Sequence, residues 1–162
     1  MGQTEIVHLI SDIKVFDHFS NEDLAFLSPY FQRIPFTTAD TIVHEGDKGA
    51  DFYIVMRGTL KVFLPQEIAG ADETRVSDVK LNILRQGDCF GEYSMIDKSP
   101  ASASIVATSD GELLRIAETD FDHILAINDR IAKLFYRNVL HILIKRLRLR
   151  EKEYDLLLVA PE

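Results

Sequence analysis

The chain has 162 residues, of which 46% are hydrophobic and 27% are charged, a composition typical of a globular protein and not of a disordered or fibrous one. Its formal charge of −8 opposes nonspecific binding to nucleic acid or to an anionic membrane surface. No stretch approaches the roughly 20 apolar residues of a membrane helix, and the first residues lack the features of a signal peptide. We therefore expect one soluble, cytoplasmic domain over residues 1–162, in which the single Cys89 is a small buried apolar residue.

Residues 1–30 are predicted to form short helices. Their apolar residues recur at helical spacing, at Ile6, Leu9, Ile10 and Ile13. Ser20 and Asp23 have the spacing of a capping pair, so a second helix is expected to begin just after Ser20.

Residues 31–117 are predicted to contain the β-strands. Short runs rich in Phe, Ile, Val, Thr and Tyr are bounded there by Gly and Asp, as is typical of successive strands. The clearest strands are Ile42–His44, Phe52–Met56, Thr59–Leu64, Lys80–Leu84, Ser102–Thr108 and Glu112–Ile116. Residues 65–78 interrupt this pattern and are predicted to form a long hairpin loop.

Residues 118–155 return to a helical period. Thr119 and Asp122 have capping spacing ahead of a helix at 123–127, and one long helix is predicted from about Asp129 to Tyr154. A block of strands with helices at both ends predicts an α+β or mainly β fold, and not a parallel α/β sheet.

Two segments carry a family resemblance. The first is VHEGDKGADFYIVMRGTLKVF, residues 43–63, and the second is GDCFGEYSMIDKSPASASIVA, residues 87–107. With these segments the chain resembles the cyclic nucleotide-binding domain family, the module of catabolite activator proteins, kinase regulatory subunits and cyclic-nucleotide-gated channels. The resemblance covers about Val15 to Glu153. It implies an antiparallel eight-stranded β-roll, a jelly roll or double-stranded β-helix, with N-terminal helices and a long C-terminal helix.

The resemblance also implies a phosphate-binding cassette at residues 90–104. In the family this cassette reads F-G-E and, roughly eight residues later, P-R-[AST]-A. The matching residues are Phe90, Gly91 and Glu92, then Pro100, Ala101, Ser102 and Ala103. The resemblance implies that Glu92 accepts hydrogen bonds from a ribose hydroxyl and that backbone amides at Ser102 and Ala103 contact the phosphate.

The arginine of the family cassette is replaced by Ala101. A charge-assisted hydrogen bond contributes about 1.5 to 3 kcal/mol. Its loss is therefore expected to weaken the binding of cyclic AMP or cyclic GMP roughly ten- to more than a hundredfold. Lys98 is a possible substitute cation, although a loop lysine is more often simply solvated. Glu92 has an alternative interpretation too, because the helix dipole favours an acidic residue in a first turn without any ligand.

The long helix explains an uneven distribution of charge, since residues 130–150 hold seven basic residues and no acidic one. Projected on a helix, one stripe is basic: Arg130, Lys133, Arg137, His141, Lys145 and Arg148. Two seams are apolar. One contains Ile131, Phe135, Ile142 and Leu149, and the other contains Tyr136, Leu140, Leu143, Leu147 and Tyr154. The second seam has coiled-coil spacing, which predicts a homodimer helix, unless both seams pack within one subunit. The basic stripe is either a solvated face or a surface for an anionic partner.

Other functions find no support in the sequence. The five histidines show no metal-ligand spacing, no nucleophile or nucleotide-phosphate motif is present, and DNA binding is not expected because only about eight residues follow Tyr154. We therefore expect no enzyme and no cofactor. Two hypotheses remain: a regulatory domain that senses a small anionic ligand and signals through its C-terminal helix to a protein partner, or a degenerate roll that serves as an interaction or dimerisation module.

Overall fold

Two four-stranded antiparallel sheets form the middle of the molecule, as described by a computed structural model for residues 3–49 and 51–158. The first sheet has the order β1-β8-β3-β6 and the second β2-β7-β4-β5. The strands are β1 Gln32–Phe36, β2 Thr41–Val43, β3 Phe52–Arg57, β4 Leu60–Leu64, β5 Val79–Leu84, β6 Cys89–Phe90, β7 Ser104–Ala107 and β8 Gly111–Ile116. The predicted eight-stranded β-roll is confirmed, and the ends of the predicted 1–162 domain lie outside the described residues.

Helices flank the roll at both ends of the chain. They are α1 Gln3–Ser11 and α2 Asn21–Leu27 before it, with 3-10 turns at Lys14–Phe16 and Ser28–Tyr30, and α4 Glu118–Ile127 and α5 Asp129–Leu158 after it. The short helix α3 Glu92–Asp97 lies within the roll, between β6 and β7. The predicted capping pair before α2 is confirmed, because Ser20 and Asp23 form a reciprocal capping box. The predicted hairpin loop at 65–78 joins β4 to β5.

The first sheet separates two hydrophobic clusters, because alternate residues of a strand point to opposite faces. Its inner face joins the second sheet around Val55, Leu60 and Leu113. Its outer face packs under the helices, where the ring of Phe135 on α5 lies 5.6 Å from that of Phe52 and 4.5 Å from that of Phe121 on α4. The start of α5 is therefore fixed to the roll and to α4 by aromatic packing.

The predicted N-terminus of α4 is wrong. The helix begins at Glu118, with Ala117 as its N-cap residue, instead of being capped by Thr119 and Asp122. Asp51 immediately precedes β3, and its carboxylate accepts a hydrogen bond from the backbone N–H of Glu118 at 3.0 Å. The carboxylate of Asp122 accepts a hydrogen bond from Lys98 instead. A side chain from the roll thus takes the capping role that the local sequence assigned to Thr119.

Candidate functional site

The turn between β6 and α3 has a backbone that only glycine fits. Gly91 has a φ of +91°, and a Cβ at this position would lie 2.1 Å from the carbonyl oxygen of Asp51. Since a side chain would collide with this backbone atom and strain the positive φ, the residue must be glycine for Glu92 to follow β6 in this direction. The Phe90 ring stacks on that of Tyr53, with centroids 4.8 Å apart.

A cavity of about 770 Å³ lies between this turn, the second sheet and α5. Its first wall is the predicted cassette, with Phe90, Gly91, Glu92, Tyr93 and Ser94 and then Ala101, Ser102 and Ala103. Its second wall is α5, with Leu140, Leu143, Ile144, Arg146, Leu147, Leu149, Arg150 and Glu153. The floor is largely apolar and includes Ile42, Val62, Leu84 and Ile105 from the sheet. The structure thus brings six of the seven matched cassette residues to one cavity, whereas Pro100 is not among the described residues that line it.

Glu92 is the buried acidic group of this cavity, with 3% of the residue exposed. Burial raises the pKa of Glu92, and the neighbouring Arg146 opposes that shift. A guanidinium N–H of Arg146 donates to Oε1 of Glu92, and a second donates to the carbonyl oxygen of Cys89 at 2.8 Å. Arg146 therefore joins α5 directly to the cassette.

Cys89 is buried as predicted, with 4% exposed. Burial raises the pKa of its thiol to about 12. At neutral pH the thiol is protonated, so Cys89 acts as a packed apolar side chain and not as a nucleophile.

Two reciprocal backbone hydrogen bonds hold Ala101. Its N–H donates to the carbonyl of Asp47 at 2.9 Å, and its carbonyl accepts from the N–H of Gly46 at 2.8 Å. Three residues on, the hydroxyl of Ser104 accepts the N–H of Glu45 at 2.9 Å. The return limb of the cassette is thus fixed to the turn that precedes β3, and Ala101 contributes only a methyl group to the cavity wall.

Lys98 occupies a different place from the one expected. Its ammonium group lies 2.9 Å from a carboxylate oxygen of Glu118 and 2.7 Å from one of Asp122, both on α4. Lys98 is not among the described residues that line the cavity. Lys98 adopts a left-handed conformation at the end of α3, and its side chain links the cassette to α4.

A comparison with known proteins identifies the family of the chain. The family profile for the cyclic nucleotide-binding domain matches residues 33–128, more than half of the chain. The chain belongs to this family. The cyclic AMP receptor protein of Thermus thermophilus is 33% identical over 143 residues, which make up 88% of this chain and 61% of that protein.

Solved structures agree with this assignment. The catabolite activator protein of Thermus thermophilus superposes with a TM-score of 0.70 at 30% identity, covering 89% of this chain and 62% of that one. A cyclic nucleotide-binding domain from Methylobacillus flagellatus gives a TM-score of 0.77 at 25% identity, covering 99% and 85%. The chain thus spans about three fifths of the length of the Thermus protein and most of the isolated domain.

In this cyclic nucleotide-binding domain, Arg146 is the site residue that sequence reasoning missed. It lies outside the basic stripe, between Leu143 and Leu149 on the apolar side of α5. An arginine among apolar seam residues is the signal that could have found it, because such a charge needs a buried partner. That partner, Glu92, is 54 positions away in sequence, and only the fold shows their proximity.

The two apolar seams of α5 behave differently in this cyclic nucleotide-binding domain. The first seam is buried at Ile131 and Phe135, but its last member, Leu149, is 59% exposed, because α5 has by then passed the helical core. In the second seam Leu143 packs partly against its own core. Its exposed members are Tyr136, Leu140, Leu147 and Tyr154, at 48%, 56%, 60% and 68%. The predicted dimer seam is therefore exposed except at Leu143.

The described part of the chain offers neither a metal cluster nor a membrane-spanning helix. Within residues 3–49 and 51–158, no three His, Cys, Asp or Glu side chains are grouped so as to hold a metal ion. None of the helices in those ranges is both long and apolar enough to span a membrane.

Proposed function

We propose that this chain is a non-enzymatic regulatory domain that binds a small anionic ligand, a cyclic nucleotide or a similar compound, in the cavity beside Glu92. The single observation that carries the proposal is the joint placement of the cassette residues and α5 around one 770 Å³ cavity, in a chain whose family is defined by nucleotide binding. In this proposal the buried Glu92 accepts a hydrogen bond from a sugar hydroxyl, and Ser102 and Ala103, which line the same cavity, contact the ligand through their backbone amides.

The proposed output is a movement of α5 relative to the roll. Arg146 donates to Glu92 of the cassette and to the carbonyl of Cys89 just before it, and Arg150 donates to the carbonyl of Leu81 on the floor of the cavity. A ligand beside Glu92 competes for or adds to these contacts, and thus changes the population of α5 positions. Lys98 offers a second connection, from the cassette to α4.

The proposed recipient of the signal is a second copy of this chain, together with a protein partner that the helices contact. Exposed Tyr136, Leu140 and Leu147 follow each other at intervals of four and seven along α5, which is heptad spacing, so two antiparallel or parallel copies of α5 can pack together. The basic stripe is exposed at Lys133, Arg137, His141, Lys145 and Arg148 and remains available to an anionic partner. A cytoplasmic location stays a prediction.

Calorimetric titration with cyclic AMP and cyclic GMP tests whether the cavity binds a cyclic nucleotide. We expect weak binding to the native chain and binding at least ~10-fold tighter to the Ala101→Arg variant, because a guanidinium there adds a charge-assisted contact. The matched control is Ala71→Arg, the same substitution on the exposed hairpin loop, which is expected to leave the affinity unchanged.

Two results would contradict the proposal that this chain senses a ligand. Binding that appears only after Ala101→Arg, with no heat from the native chain at millimolar nucleotide, means that nucleotide sensing has been lost with the arginine. No binding to either protein means that the cavity has changed further. Both results favour the alternative, an interaction or dimerisation module built on a degenerate roll, for which Ala101 in the cassette is the specific observation.

A further inference from the structure

The described cations that line the cavity come from outside the cassette. They are Lys48, in the turn before β3, and Arg146 and Arg150, on α5. Lys48 is exposed. Arg150 has 45% of its side chain exposed and pairs with Glu153 of its own helix. Arg146 is the more enclosed of the two helix arginines, with 31% of its side chain exposed.

The contacts of Arg146 leave it suited to a further anionic partner. A guanidinium carries five N–H donors in a rigid planar fork. One terminal nitrogen donates to Glu92 and the other to the carbonyl of Cys89, so these two contacts use one hydrogen on each. The fork can therefore hold Glu92 and a ligand anion together.

The charge of Arg146 also changes what the cavity tolerates. The Glu92 carboxylate is buried, and an unpaired buried carboxylate repels an incoming anion at short range. With Arg146 beside it, the pair is neutral overall. The remaining wall around the pair is apolar at Leu143 and Leu147 on α5 and at Ile105 on β7, which suits an aromatic or aliphatic body.

We propose that Arg146 of α5 binds the anionic group of the ligand, the role that Ala101 of the cassette cannot fill. This inference rests on the proposed function. The ligand class is a compound with a single phosphodiester charge and an apolar or aromatic body, held between Glu92 on the cassette and Arg146 on the helix. The charge that recognises the ligand thus sits on the element that moves, so binding and the position of α5 are one event.

Titration of paired probes tests this role. The probes are cyclic AMP and adenosine, which shares the base and the sugar but lacks the phosphate. We expect Arg146→Gln to lower the affinity for cyclic AMP at least ~10-fold, equivalent to about 1.4 kcal/mol. The weaker affinity for adenosine is expected to stay unchanged. The matched control is Arg148→Gln, the same substitution at an exposed position of α5, which is expected to change neither.

A second variant distinguishes loss of the Arg146 charge from loss of the folded cavity. In Ala101→Arg/Arg146→Gln a cassette cation replaces the helix cation, so cyclic AMP binding is expected to return. Unchanged cyclic AMP affinity in Arg146→Gln overturns the inference while the proposed function stands. Equal loss of cyclic AMP and adenosine, without recovery in the double variant, overturns it as well, because Arg146 then only shapes the cavity. If the native chain binds neither probe, the proposed function fails first and the inference fails with it.

Discussion

Gly91 controls the direction in which the chain enters the cassette. Its positive φ and the 2.1 Å approach that a Cβ would make to the Asp51 carbonyl act together, because the obstacle is backbone next to β3 and not the end of a flexible side chain. Any other residue must move either the cassette or β3. The side chain of Glu92, one residue later, would then no longer meet Arg146.

Gly91→Ala is therefore expected to lower the free energy of unfolding by about 3 kcal/mol or more, since it combines a steric clash with backbone strain. Urea denaturation measures this value. The matched control is Gly70→Ala: Gly70 also has a positive φ, +75°, but a Cβ added there would meet no described atom within 4 Å, so only a loss of about 1 kcal/mol is expected. Equal losses in both variants would show that the clash at Asp51 is relieved at little cost.

Of Lys98 and Arg146, the cation that is farther along the chain from the cassette is the one that lines the cavity. Lys98 lies within the cassette segment but binds carboxylates of α4, whereas Arg146 lies far along the chain but binds the cassette carboxylate. The cause is the direction in which each side chain extends from its backbone. The left-handed backbone of Lys98 turns it away from the cavity, and the helical period of α5 brings Arg146 to the face that covers it. Proximity in sequence was a poor guide to which cation faces the cavity.

At the scale of elements, α5 is held to the N-terminal segment by a buried polar side chain. Asn138 is 4% exposed, and its amide nitrogen donates to the carbonyls of Val15 at 3.0 Å and Asp17 at 2.8 Å. These carbonyls flank the end of the first 3-10 turn. One amide thus fixes the rotation of α5 about its axis, and with it the direction in which Arg146 points two turns later.

Asn138→Leu is expected to destabilise the protein by about 1 to 3 kcal/mol, because leucine keeps the branched arrangement of heavy atoms while two carbonyls lose their donor. Thermal and urea unfolding measure the change. Lys133→Leu, on an exposed position of the same helix, is the control and is expected to change stability by less than about 0.5 kcal/mol. Similar stability of the two variants would mean that water replaces the amide, and that α5 is located by its apolar face alone.

Across the whole molecule, the sequence predicts what local pattern determines. Six strands and the long helix were expected within a few residues of their observed bounds, because period and turn residues act over short distances. The capping of α4 was not, because Asp51 reaches it from 67 positions away. The Glu92–Arg146 pair has the same origin, since no local pattern connects two residues on different elements. Long-range side-chain contacts thus account for both the wrong cap and the missed arginine.

The proposed dimer belongs to the scale of the whole molecule, and we expect the exposed seam of α5 to carry its surface. Leu140 and Leu147 line the cavity as well as the exposed seam, so their substitution would mix two effects. Tyr136 is 48% exposed and is not among the described lining residues, which makes it the cleaner position. Glutamate is a good helix former, so Tyr136→Glu adds a charge to the seam without breaking α5.

Light scattering of the native chain is expected to give twice the monomer mass of 18.4 kDa. Tyr136→Glu is expected to shift the protein to the monomer, because each copy would then have to bury a carboxylate in an apolar interface. Val76→Glu, at a fully exposed position of the hairpin loop, is the control and is expected to remain dimeric. A native chain that stays at the monomer mass at high concentration contradicts the dimer. The same helix carries Arg146. If Tyr136→Glu dissociates the dimer, the partner copy no longer limits how far α5 can move, and we expect ligand binding to fix the position of α5 less tightly.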